Sequence, residues 1–160
     1  MDLRDVVRRH PWLGERPHLV EADRREDLIR ALGAADGVRV RTVRARTSVP
    51  ELVTGIGRAL EFPEPLPRGW WAFNDYYREI DRLSLGPFAV VVDDADLLAR
   101  SAGVAAFVGA VHRLLSIADG GEPWEDVDVR VGYFFVGRWA ELVSQGARGV
   151  GPVDRADPAG

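Results

Sequence analysis

The 160-residue chain has no cysteine and no lysine. Without cysteine there is no disulfide scaffold, no thiol nucleophile and no cysteine-ligated zinc. Without lysine, a phosphate-binding P-loop, a Schiff base and a lysine general base are excluded together. All 21 basic residues are therefore arginine, and Asn74 and Gln145 are the only side-chain amides. Long apolar runs are missing as well. No stretch approaches the roughly 18 residues that cross a bilayer, and the opening MDLRDVVRRH lacks a signal-peptide core. These absences predict a cytoplasmic protein with no membrane partner. The net charge of −4 disfavours general nucleic-acid binding and predisposes the chain toward basic partners. What remains is ordinary: 46% hydrophobic and 29% charged residues, enough to build a core.

The pattern along the chain alternates strands with helices. Residues 1–17 carry mixed charge and two prolines and read as an N-terminal extension, a short helix or a loop. A short strand follows at 18–22, then a helix for which Asp23 and Glu26 form a capping-box signal and Leu28, Ile29 and Leu32 an apolar stripe. The VRVRTV alternation of 38–43 predicts a half-buried strand. Ser48 and Glu51 announce the next helix, with Leu52, Val53, Ile56, Ala59 and Leu60 at helical spacing until Phe62-Pro63 stops it. Another helix starts near Arg68 or Gly69, with Trp70, Phe73, Tyr77 and Ile80 as its buried stripe. The continuous run Phe88 to Val92 predicts a central parallel strand. A long helix follows at 104–118, with Phe107, Val108, Val111, Leu114 and Leu115 turned inward. After an acidic loop, Val129 to Val136 predicts the last strand, and residues 138–160 read as a mobile tail with at most a helical turn at 139–143. The expected fold class is α/β, a small parallel sheet of three to four strands covered by helices.

Sites of chemistry are scarce. Asp93, Asp94 and Asp96 follow an apolar strand, where carboxylates either ligate a hard cation such as magnesium or cap a solvated turn. His10, His18 and His112 lack the paired spacing of a zinc site, and no G-x-S-x-G elbow is present. No catalytic set emerges, so the chain is expected not to be an enzyme and to need no cofactor. The helix after the proline loop is different. Arg68, Trp71, Asn74, Asp75 and Arg78 place aromatic, basic and acidic groups on its outward side, the composition of binding hot spots. Trp71 either packs under the proline loop or stands free to meet a partner.

At Leu60-Glu-Phe-Pro-Glu-Pro-Leu-Pro-Arg-Gly-Trp-Trp-Ala-Phe-Asn-Asp75 the chain resembles the barstar family, intracellular inhibitors of barnase-type ribonucleases. The spacing from Phe62-Pro63 to Trp70, Ala72, Phe73 and Asp75 fits the family pattern without a gap. The resemblance covers about residues 38–137, with 18–37 as an added β-α unit before this core. It implies a barstar-like fold and a binding function, in which a carboxylate on this helix replaces the RNA phosphate in the enzyme's active site. Asp75 matches that acid. Trp71 stands where the family usually carries another acid, and Pro65-Leu66-Pro67-Arg68 replaces its aromatic-Gly loop.

The expected partner is thus a protein, a secreted ribonuclease or another toxin, met through Leu66, Arg68, Trp71, Asn74, Asp75 and Arg78. A regulatory or scaffold module of the same fold is the second expectation. A magnesium-dependent enzyme built on Asp93, Asp94 and Asp96 is the third.

Overall fold

A computed structural model describes residues 3–45, 47–83, 85–120 and 130–149. The strands are β1 (His18–Glu21), β2 (Arg39–Arg44), β3 (Phe88–Asp93) and β4 (Val131–Gly137). The helices are α1 (Leu3–Arg9), α2 (Arg25–Gly33), α3 (Val49–Ala59), α4 (Trp70–Arg82), α5 (Ala95–Ala102), α6 (Val104–Asp119) and α7 (Trp139–Gly149). The four strands form one all-parallel sheet in the order β1-β4-β3-β2, so the fold is α/β with helices flanking a parallel sheet. β3 pairs along its whole length with β2 on one side and with β4 on the other, as in Val90 between Arg41 and Tyr133.

Both faces of the sheet are covered, which is why β3 is apolar without alternation. Phe88, Val90 and Val92 point into a core built with α3, α4, α5 and α6. Ala89 and Val91 point to the opposite side, where Leu3, Val6, Leu13, Leu28 and Leu32 close a second, smaller core. The N-terminal segment is part of that second layer. Leu3 touches the sheet so closely that a Cβ on Gly132 would come within 3.1 Å of its side chain. Arg16 adds a two-pronged ion pair to Asp119 at the end of α6, at 3.0 and 2.9 Å.

Several local expectations need correction. Asp23 does not cap α2: a 3-10 turn over Ala22–Arg24 intervenes, and the helix starts at Arg25 without a side-chain cap. Asp94 and Asp96 do not lie in a plain turn, because the chain turns into α5 directly after β3. Val108 faces outward and Ala110 takes its place in the core. The stretch after Gly137, expected to be mobile from residue 138, forms α7 as far as Gly149. Three contacts anchor it. Trp139 is buried against Phe107 and donates to the Phe135 carbonyl at 3.0 Å, Glu21 accepts from the Ala140 N–H at 2.8 Å, and Gln145 accepts from Arg100. The acidic stretch 122–128, the expected strand start at Val129 and residues 150–160 lie outside the described residues.

Candidate functional site: the surface of α4

Parallel α/β sheets commonly bind ligands at the carboxyl ends of their strands, where neighbouring connections leave over opposite faces. Here that place lies between β1, which leads into α2 on one face, and β4, which leads into α7 on the other. An open cleft of about 460 Å³ sits there, lined by Arg25, Arg44, Asp93, Asp94, Asp96 and Arg138 among others. Each of its carboxylates is held by an arginine. Arg25 binds Asp93 through two hydrogen bonds of 2.7 and 2.8 Å, and this carboxylate keeps the Arg25 pKa above its ordinary value. Arg44 reaches Asp94 at 2.9 Å, and Arg100 reaches the buried Asp96 at 3.1 Å. No group of three or more ligating side chains that could hold a metal ion occurs among the described residues. The arrangement joins α2, β2 and α5 to the strand ends, and its carboxylates face guanidinium groups rather than one another.

The segment from Phe62 to Arg78 is built differently. Phe62 is buried and meets Phe73 and Tyr76 edge-on, at centroid distances of 5.2 and 5.6 Å. Beneath it Gly57 is needed for close approach: a Cβ there would lie 3.1 Å from both Phe62 and Pro67. The Thr54 hydroxyl donates to the Pro67 carbonyl at 2.9 Å, and the Tyr76 hydroxyl donates to the Pro65 carbonyl at 3.1 Å. The Glu64 carboxylate accepts from the Leu66 N–H at 3.2 Å. The proline loop is thus tied to α3 and α4 at several points, so its shape is set before any partner arrives.

On α4 the inward stripe is Phe73, Tyr77 and Ile80, with Trp70 half-buried beside it. The outward side carries Trp71, which is 85% exposed. Of the two positions open to that tryptophan, the free one is observed, and it is Phe62 and Tyr76 that hold the loop. Trp71, Asn74 and Arg78 line an open groove of about 740 Å³ between α4 and α6, whose other wall includes Arg113, Ser116 and Ile117. Asp75 is exposed on the same helix but lines neither this groove nor the one described next. Arg68 faces a second groove of about 470 Å³, beside β2 and α3, with Arg44, Arg58, Thr42 and Thr54. Leu66 is half-buried and packs on the larger core.

Thus Trp71, Asn74 and Arg78 come together, while Arg68 belongs to another groove. Arg113 and Ile117 were not among the expected binding residues. Their signal was the lack of charge along α6, which has one basic residue and one acid in its 16 residues. Comparison with known protein families, with curated proteins and with solved structures finds no match to this chain.

Proposed function

We propose that this chain is a protein-binding module that captures its partner through the loop and helix of residues 66–78. The observation that carries this reading is Trp71: a large aromatic side chain, 85% exposed, on a helix whose preceding loop is already pinned. Such a residue adds large buried area on association at little ordering cost. With the resemblance to the barstar family, the specific reading is an intracellular inhibitor of a ribonuclease or related toxin. It blocks the active site sterically, with Asp75 as charged anchor and Trp71 as apolar anchor. Asp75 has no ion-pair partner among the described residues, so its charge is available to a partner.

A second reading keeps the surface and drops inhibition: a regulatory or scaffold module for a cellular protein. It is favoured by Arg68, Arg78 and Arg113, which also lack ion-pair partners among the described residues and would meet a basic enzyme cleft unfavourably.

RNA cleavage by a purified barnase-type ribonuclease, with wild type or Asp75→Arg added, separates the two. The inhibitor reading expects stoichiometric loss of cleavage with the wild type and recovery with the variant, both proteins melting alike. Inhibition that Asp75→Arg leaves untouched would sink the proposed surface, and a wild type that does not inhibit would leave the second reading.

A further inference from the structure

We infer that the α4–α6 groove receives an acidic amphipathic helix of the partner. This deepens the second reading, a module for a cellular protein rather than an inhibitor of a basic ribonuclease, and rests on it. Three observations lead there. The groove has a cation on each wall, Arg78 on α4 and Arg113 on α6, and no carboxylate among the residues that line it. Both arginines are exposed and neither has an ion-pair partner among the described residues. They are therefore positioned for acids that the described residues do not supply.

The outer face of α6 is the second observation. A solvent-facing helix surface is normally polar. Here it reads Val104, Ala105, Val108, Gly109, His112 and Arg113, with Val104 58% and Val108 57% exposed. These positions recur at i, i+1, i+4, i+5, i+8 and i+9, one stripe leading into the basic groove. At roughly 1.5 Å per residue it runs for about 14 Å, about two and a half turns of a helix laid beside it.

The third observation is shape. A Cβ added to Gly109 would meet nothing within 4 Å, so another backbone can approach the stripe closely. With Trp71 as one rim, the surface is an apolar track with cations at one end. That fits a helix with aliphatic side chains on one face and Asp or Glu on its flank, the helix-in-groove mode of recognition. A basic partner surface would instead bring like charges against Arg78 and Arg113. Among toxins or cellular proteins, the partner is one that presents acids.

The test uses the full chain and defined probes in fluorescence anisotropy. One probe is an 18-residue helical peptide of Leu and Ala with Glu along one flank, the second its Lys counterpart, the third an oligouridylate. The protein variants are Arg78→Glu/Arg113→Glu, Val108→Asp and Trp71→Ala. All replace exposed side chains, so unchanged melting is expected to accompany each. The Glu peptide is expected to bind the wild type and to bind the charge-reversed variant at least about tenfold more weakly. Val108→Asp is expected to weaken it as well, and the Lys peptide is expected to prefer the reversed variant. A Lys peptide that binds the wild type at least as tightly as the Glu peptide would overturn the inference. So would indifference of the Glu peptide to charge reversal, absence of binding by either peptide at millimolar concentration, or an oligouridylate that binds and displaces the Glu peptide. If the Lys peptide binds and Trp71→Ala abolishes that binding, the protein-binding reading survives while the acidic partner does not.

Discussion

Gly137, the last residue of β4, tests how tightly the strand ends are packed. A Cβ there would lie 2.8 Å from Asp96 Oδ1, 3.0 Å from the Asp96 backbone nitrogen and 3.1 Å from its Cβ. Ordinary contact begins near 3.4 Å, so the neighbours must retreat by about 0.6 Å. The nearest oxygen belongs to a side chain held by Arg100 at 3.1 Å, and the next atom is backbone at the start of α5. Neither can swing aside as the end of a flexible side chain could. Overpacking of this kind costs about 1–3 kcal/mol. A partial loss of the charged Asp96–Arg100 hydrogen bond adds to it, since such bonds contribute about 1.5–3 kcal/mol. Gly137→Ala is therefore expected to destabilise by about 2–3 kcal/mol, lowering Tm by roughly 4–12 °C for a chain of this size. Urea unfolding followed by circular dichroism measures it, with Gly146→Ala as control. Gly146 lies in α7 with nothing within 4 Å of its added Cβ, so alanine there gains about 0.5–1 kcal/mol of helix propensity. A loss below about 0.5 kcal/mol at Gly137 would refute the account of the strand ends. No gain at Gly146 would refute a stable α7.

The buried His18 stacks on Phe134 at 5.2 Å, and burial lowers its pKa below the ordinary 6.5. The unfolded chain therefore takes up that proton first on acidification. Its contribution to stability is full above pH 6.5 and is lost as the pH falls from there toward the folded pKa, at no more than about 1.4 kcal/mol per pH unit. Urea unfolding at descending pH checks this, and His18→Phe is expected to flatten the slope; an unchanged slope in that variant would remove His18 from the account. Trp71 is the most exposed tryptophan among the described residues, so Trp71→Phe is expected to lower the acrylamide-accessible fraction of tryptophan emission, and an unchanged fraction would mean that Trp71 is covered. Titration calorimetry with millimolar magnesium is expected to give no binding heat, because Asp93, Asp94 and Asp96 are each engaged by an arginine. Saturable heat lost in Asp94→Asn would restore the metal reading.

Elements whose determinants are local were legible in the sequence. Ser48 accepts from the Glu51 N–H as the spacing of the two residues predicts, and the outward placement of Trp71, Asn74 and Arg78 follows from the stripe of Phe73, Tyr77 and Ile80. Elements whose determinants are distant were not. α5 hides behind three aspartates that look like a turn until Arg25, Arg44 and Arg100 arrive from elsewhere to neutralise them. α7 is preceded by Arg138 rather than a Ser, Thr, Asp or Asn cap and carries Gly146 in its interior, and its anchors Glu21 and Arg100 lie far away in sequence. The candidate surface was half legible for the same reason. Its α4 wall is written in one helical period, whereas Arg113 joins it only because α6 packs alongside.

The pairing of β1 with β4 has a consequence for how the molecule is made. His18 is aligned with Phe134, so the strand synthesised first must wait for the one synthesised last. Meanwhile Leu3, Val6, Leu13, Leu28 and Leu32 have left the ribosome without the sheet face that will cover them. At about 5–20 residues per second that interval lasts about 6–20 s. During it the nascent chain exposes a row of apolar side chains, a substrate for holding chaperones. Chains that end before residue 131 would lack Phe134 and Val136, the β4 residues of that core, leaving the apolar row incompletely covered.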